Sequence, residues 1–129
     1  MSGIRIEGSG RNTALEYQYR DASNYKAGAT VVLAGVLSQE QLDSILARLQ
    51  DGEFFIPTQV GLKDLLGEFE HGEGWHEQDD HPFHTIEAVT LTDAEADGPA
   101  VDEVLARWPA ADGWDSASAT RELEQRYAL

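Results

Sequence analysis

Polar and apolar residues alternate strictly over residues 15–20, where Leu15, Tyr17 and Tyr19 fall on one face. A period of two is typical of a half-buried strand. A continuous apolar run at 30–33 predicts a central strand, and the β-branched segment 85–91 predicts another. The two isoleucines of segment 4–6 indicate a short strand at the start of the chain.

The helical pattern is clearest after Ser38. Ser38 and Gln41 form a capping box, and apolar residues follow at the helical spacing until Gly52: Leu42, Ile45, Leu46 and Leu49. The same spacing predicts a second helix from the residues Leu62, Leu65, Leu66 and Phe69.

Two further helices are expected in the last thirty residues. Pro99 and Pro109 bracket Val101, Val104, Leu105 and Trp108, and a C-terminal helix is indicated by Ala119, Leu123 and Tyr127. Early hairpin spacing without regular β-α-β alternation predicts an α+β fold. We expect an antiparallel sheet of about four strands, with helices packed on one face, in a single compact domain over 1–129.

Composition restricts the class of protein further. Cysteine is absent from the 129 residues, which excludes disulfides, thiolate metal sites and a cysteine nucleophile. The N-terminus carries no apolar targeting segment, and no run reaches the length of a membrane span, so a cytoplasmic location is expected.

The negative charge is concentrated in one part of the chain. Residues 1–50 hold five acids and five bases, whereas residues 51–129 hold nineteen acids and four bases and so account for the net charge of −15. Such a surface repels nucleic acid and anionic membranes and attracts a basic protein or cations. Alternatively, the acidity is a halophilic adaptation to high salt, in keeping with only two lysines, Lys26 and Lys63.

All four histidines fall within the acidic segment 71–84. The spacing of five between His76 and His81 excludes the zinc motif HExxH. Segment 70–83 has neither the helical nor the strand period and is expected to be a loop. The best metal-ligand set in this loop is His76, Asp80, His81 and His84. Carboxylates suit Mg²⁺ or Ca²⁺, and imidazoles suit Zn, Mn, Fe or Ni. The alternative is a solvated loop whose histidines make local contacts.

A second polar group stands where the alternating strand ends. It is a candidate ligand-binding set composed of Arg20, Asp21, Asn24, Tyr25 and Lys26. Arg20 and Lys26 could hold an anionic ligand. Alternatively, Asp21 and Asn24 shape a turn while the two cations pair with the many acids of the chain.

Three segments carry a family resemblance: Tyr19-Arg20-Asp21 with Asn24-Tyr25-Lys26, Phe55-Ile56-Pro57 with Val60-Gly61-Leu62, and Asp79-Asp80-His81 with His84. They resemble a family of small uncharacterised prokaryotic proteins over about residues 15–90. That family has no known activity and so implies no catalytic residue. The resemblance implies that both polar groups belong to one module.

No complete catalytic spacing is present: the glycines near Ser9 match neither a dinucleotide loop nor a P-loop, and no serine lies in a G-x-S-x-G elbow. We therefore expect a non-enzymatic binding or accessory protein whose acidic part, 51–129, contacts a basic protein. The alternative is a metal-dependent hydrolase using the 71–84 segment, with metal-bound water as nucleophile. The oligomeric state stays open.

Overall fold

A four-stranded sheet forms the frame of the computed structural model, which describes residues 4–66 and 80–127. The elements are β1 (Glu7–Gly8), β2 (Asn12–Arg20), β3 (Lys26–Leu33), α1 (Gln39–Leu46), a 3₁₀ helix (Pro57–Val60), β4 (His84–Thr92), α2 (Val101–Arg107) and α3 (Ser116–Arg126). The strand order is β1-β4-β2-β3. Strand β2 is antiparallel to both neighbours and β1 is parallel to β4, so the predicted α+β class is confirmed with a mostly antiparallel sheet.

The predicted alternation in β2 is confirmed. Leu15, Tyr17 and Tyr19 are buried, while Glu16 and Arg20 are exposed on the opposite face. The buried face shares one hydrophobic core with residues of all three helices, among them Leu42, Ile45, Val104 and Leu123. Burial of these apolar side chains is the main source of stability.

Two strand predictions need correction. The short strand expected at the start of the chain forms one residue later, at Glu7–Gly8, and segment 4–6 bonds the Gln39 side chain instead: Ile6 N–H donates to Oε1, and Nε2 donates to the Ile4 carbonyl. The run 30–33 belongs to β3, which is an edge strand and not a central one. Segment 97–100 packs along this edge and shields the apolar run from solvent. The N–H groups of Asp97 and Gly98 donate to the Val32 carbonyl.

The capping box of α1 is confirmed, with Gln41 N–H donating to Ser38 Oγ and Ser38 N–H donating to Gln41 Oε1. The helix predicted from Leu62 is wrong over 62–65, and Phe69 lies outside the described residues. Its leucines are buried, but the N–H groups of Leu65 and Leu66 donate to side chains and not to helical carbonyls. The 3₁₀ helix ends at Gly61 in a left-handed conformation that favours glycine, with φ 88°.

The last two helices agree with their predicted positions. Arg48 joins them to α1, because its guanidinium donates to the Trp108 carbonyl at 2.7 Å and its carbonyl accepts from Trp114 Nε1 at 3.0 Å. Within 4–66 and 80–127, no helix has the length and apolar character that crossing a membrane requires.

Candidate functional site

Tyr19 and His84 face each other across β2 and β4, with ring centroids 5.1 Å apart. Both side chains lie on the core face of the sheet and are almost fully buried. Phe55 pairs with His84 through two backbone hydrogen bonds, of 2.8 and 3.0 Å. The end of the sheet therefore places an imidazole and a phenol in an apolar setting.

Both ring nitrogens of His84 have backbone partners. Leu65 N–H donates to Nε2 at 3.0 Å, so that nitrogen carries the lone pair, and Nδ1–H donates to the Pro82 carbonyl at 3.0 Å. Burial lowers the pKa of His84 to about 4, because the imidazolium would lose its hydration and an acceptor nitrogen. His84 is thus a neutral imidazole that joins two chain segments.

Tyr19 connects this histidine to Asp80 and His81. The Tyr19 hydroxyl donates to Asp80 Oδ1 at 2.6 Å and accepts from His81 N–H at 3.3 Å. Burial raises the pKa of Tyr19, and the hydrogen bond to Asp80 raises it further. The four side chains Tyr19, Asp80, His81 and His84 are called the tyrosine–histidine cluster below.

His81 also uses both ring nitrogens. Nδ1 accepts from Phe83 N–H at 3.1 Å, and Nε2 donates to the Arg20 carbonyl at 2.8 Å. The second bond joins the histidine segment to the Arg20 end of β2. The two polar groups predicted from the sequence therefore do meet, through a main-chain carbonyl.

The predicted ligand-binding set forms the tip of the β2–β3 hairpin. Asp21 shapes this turn, because its Oδ1 accepts from Tyr25 N–H at 2.9 Å and its N–H donates to the Tyr25 carbonyl at 3.0 Å. Asn24 has φ 71°, which asparagine tolerates better than most residues. Arg20 and Lys26 are opposite one another in register, and both are exposed.

A groove of about 330 Å³ opens beside this hairpin on the outer face of the sheet. Arg20 and His81 line it together with Phe54 and Phe83, while Lys26 and His84 do not. Two carboxylates also line it, those of Glu53 and Glu87. The groove is therefore mixed in charge.

The predicted metal set is only partly visible. His76 lies outside the described residues, as does His71. Coordination by His81 or His84 would displace a hydrogen bond that each nitrogen already makes. Over 4–66 and 80–127, no three histidines or carboxylates are grouped as metal ligands, and the four-residue set stays a prediction.

Asp64 is a buried carboxylate that the sequence did not single out. Its Oδ2 pairs with Arg126, and its Oδ1 accepts from the Tyr127 hydroxyl at 2.7 Å and from Leu66 N–H at 3.1 Å. Burial, followed by the hydrogen bond to Asp64, raises the pKa of Tyr127 to about 12. The apolar spacing around Asp64 resembled a helix and obscured this ion pair.

The acidic surface is defined here as the nine exposed carboxylates of residues 93–124. Four of them bond within the fold, namely Asp93, Asp97, Asp115 and Glu122. The other five have no side-chain partner among the described residues: Glu95, Asp102, Glu103, Asp112 and Glu124. Two arginines, Arg107 and Arg121, share this part of the chain, and Arg126 just beyond it is already paired with Asp64 and Glu122.

Comparisons with protein-family models, curated proteins and solved structures give no match. The resemblance to the small prokaryotic family therefore stays a prediction. Its three segments do converge in space, since Tyr19 bonds Asp80 and Phe55 pairs with His84. The structure thus brings together Tyr19 of the first segment with Asp80 and His81 of the third.

Proposed function

We propose that this protein is a non-enzymatic binding protein whose acidic surface contacts a basic surface of another protein. The observation that carries the proposal is the group of five exposed carboxylates in 93–124 that have no side-chain partner within 4–66 and 80–127, beside the two arginines Arg107 and Arg121. Opposite charges across an interface accelerate association and exclude wrong partners. A basic protein is the complementary occupant.

The tyrosine–histidine cluster supports the same proposal from the chemical side. A general base needs a nitrogen or oxygen that can reach a substrate proton. In His81 and His84, all four ring nitrogens are used in hydrogen bonds to the backbone. The cluster therefore has a structural role, because its hydrogen bonds hold chain segments against the sheet. This role favours a binding protein over a metal-dependent hydrolase.

Binding of decalysine, measured by calorimetry at several salt concentrations, tests the proposal. The double variant Glu95→Gln/Glu124→Gln removes two carboxylates from the acidic surface. Glu7→Gln/Glu16→Gln is the matched control, since it removes the same charge from exposed positions elsewhere. We expect the first pair to weaken binding about tenfold and the control to weaken it about twofold, because Coulomb attraction declines with distance and screening.

Equal weakening by both pairs would show that decalysine responds to net charge alone and would overturn the proposal. Salt adaptation predicts a different result. In that case decalysine binding would not depend on position, and the melting temperature would rise steeply with molar KCl. The same two double variants would then both raise the melting temperature at low salt, since each reduces self-repulsion.

A further inference from the structure

The outer edge of β3 is only half covered. Val32 uses both main-chain groups at this edge: its carbonyl accepts from the N–H groups of Asp97 and Gly98, and its N–H donates to Asp97 Oδ1 at 2.7 Å. The N–H and C=O groups of an antiparallel strand point together to one side, and the side alternates with each residue. The corresponding groups of Gly28 and Thr30 therefore point to the same edge.

Within the described chain, no backbone hydrogen bond reaches those groups of Gly28 and Thr30 from outside the sheet. Ala27 and Ala29 bond inward to β2, opposite Tyr19 and Tyr17, in the register that the hairpin sets. Segment 97–100 covers the edge only near Val32 and Ala34, where Ala34 N–H donates to the Pro99 carbonyl at 3.2 Å. An open strand edge is a template for another strand.

A cavity of about 420 Å³ lies beside the open part of the edge. Its apolar wall includes Ala29, Val31, Leu62 and Pro99, and Lys63 and Asp97 also line it. A strand added to β3 directs alternate side chains to the two faces of the sheet. One apolar side chain of the added strand would enter this cavity, since Ala29 and Val31 are on the core face.

We infer that the open edge of β3 accepts an extended segment of the basic partner as a fifth strand, with an apolar side chain in the cavity between Ala29 and Leu62. This inference rests on the proposed function in one respect, which is that the partner is positively charged. A second copy of this chain is a poor occupant because each copy carries a net charge of −15. The backbone of segment 97–100 already bonds this edge at Val32 and Ala34.

Amide hydrogen exchange with a seven-residue peptide of alternating lysine and valine tests the inference. In the free protein we expect rapid exchange at Gly28 and Thr30 and slow exchange at Ala27 and Ala29. Saturating peptide should slow exchange at Gly28 and Thr30 by about tenfold or more, because new hydrogen bonds protect them. The same peptide N-methylated at both its lysines and its valines has no backbone N–H group left to donate and should give no protection.

Thr30→Pro is the matching variant, since proline is tolerated on an edge strand where its N–H would face outward. It should abolish the binding of the lysine–valine peptide, whereas Thr30→Val should retain it. If Thr30→Pro does not fold, the exchange experiment on the unchanged protein decides.

Peptide binding without protection of Gly28 and Thr30 would overturn the strand-addition inference and leave the acidic-surface proposal standing. Equal protection by a glutamate–valine peptide would overturn the basic character of the partner. If decalysine and the lysine–valine peptide both fail to bind, both proposals are wrong.

Discussion

His84 accepts a 3.0 Å hydrogen bond from the backbone N–H of Leu65, nineteen residues earlier in the chain. A buried imidazole thereby satisfies a donor that a helix would have paired with a carbonyl. Burying a polar group without a partner is costly, so this bond stabilises the packing of Leu65 against β4.

The first prediction concerns the pH dependence of stability. The pKa of His84 is lowered to about 4 in the folded protein, against 6.5 for the unfolded chain. The unfolded state binds more protons between these values, so the contribution is complete above pH 6.5 and is lost as pH falls toward 4. The shift corresponds to about 3 kcal/mol of unfolding free energy.

Urea unfolding at pH 7 and pH 4.5 measures this contribution by comparison with His84→Gln. Glutamine can accept from Leu65 and donate to Pro82 but does not titrate. We expect the loss between the two pH values to be smaller in His84→Gln than in the unchanged protein. His81→Gln is the control, and an equal effect of both variants would contradict the assignment.

The second prediction concerns the Tyr19 hydroxyl. Tyr19→Phe removes the donor to Asp80 and the acceptor of His81 N–H while keeping the buried ring. We expect a loss of about 1–3 kcal/mol in unfolding free energy, because buried polar groups lose partners. Tyr25→Phe, at a residue that is 59% exposed, should cost less stability than Tyr19→Phe.

The third prediction concerns the ion pair between Arg126 and Asp64. Partial burial alone would lower the pKa of Arg126, but the charge of Asp64, followed by that of Glu122, raises it. Arg126→Gln leaves Asp64 buried without its cation and should destabilise the fold by about 1–3 kcal/mol. Arg121→Gln, on the exposed side of α3, is the control. If urea denaturation gives both variants the same midpoint, the prediction is wrong.

The fourth prediction concerns metal. Because His81 and His84 already use all their ring nitrogens, EDTA should leave the melting temperature of freshly purified protein unchanged to within about 1 °C. Elemental analysis of the same sample gives the metal content. Near-stoichiometric metal with a lower melting temperature after EDTA would instead place the metal-dependent hydrolase first. His81→Ala would then test the predicted ligand set.

Sequence patterns correctly predicted the elements that depend on interactions between residues close together in the chain. The capping box at Ser38 and the alternation of Leu15, Tyr17 and Tyr19 report hydrogen bonds and burial within a few residues. The cover of β3 by segment 97–100 could not be predicted in this way, because its partners are about 65 residues apart. The apolar run at 30–33 therefore indicated a central strand.

In the candidate site, too, the sequence predicted contacts between neighbouring residues but not those between distant ones. The sequence grouped Arg20 with its turn and His81 with its neighbours, and the structure joins them through the Arg20 carbonyl. It could not show that the ring nitrogens of His84 bond to Leu65 and Pro82, since spacing reveals residue types and not partners. Asp64 escaped notice because leucines at helical spacing surround it.

Two tyrosines of β2 hold the chain on both sides of residues 67–79. The Tyr17 hydroxyl donates to the Lys63 carbonyl at 2.8 Å, and the Tyr19 hydroxyl donates to Asp80. The ends of the intervening stretch are therefore fixed independently of its length. One strand of the sheet thereby sets the separation of residues 63 and 80, so a change in the register of β2 would displace both of them together.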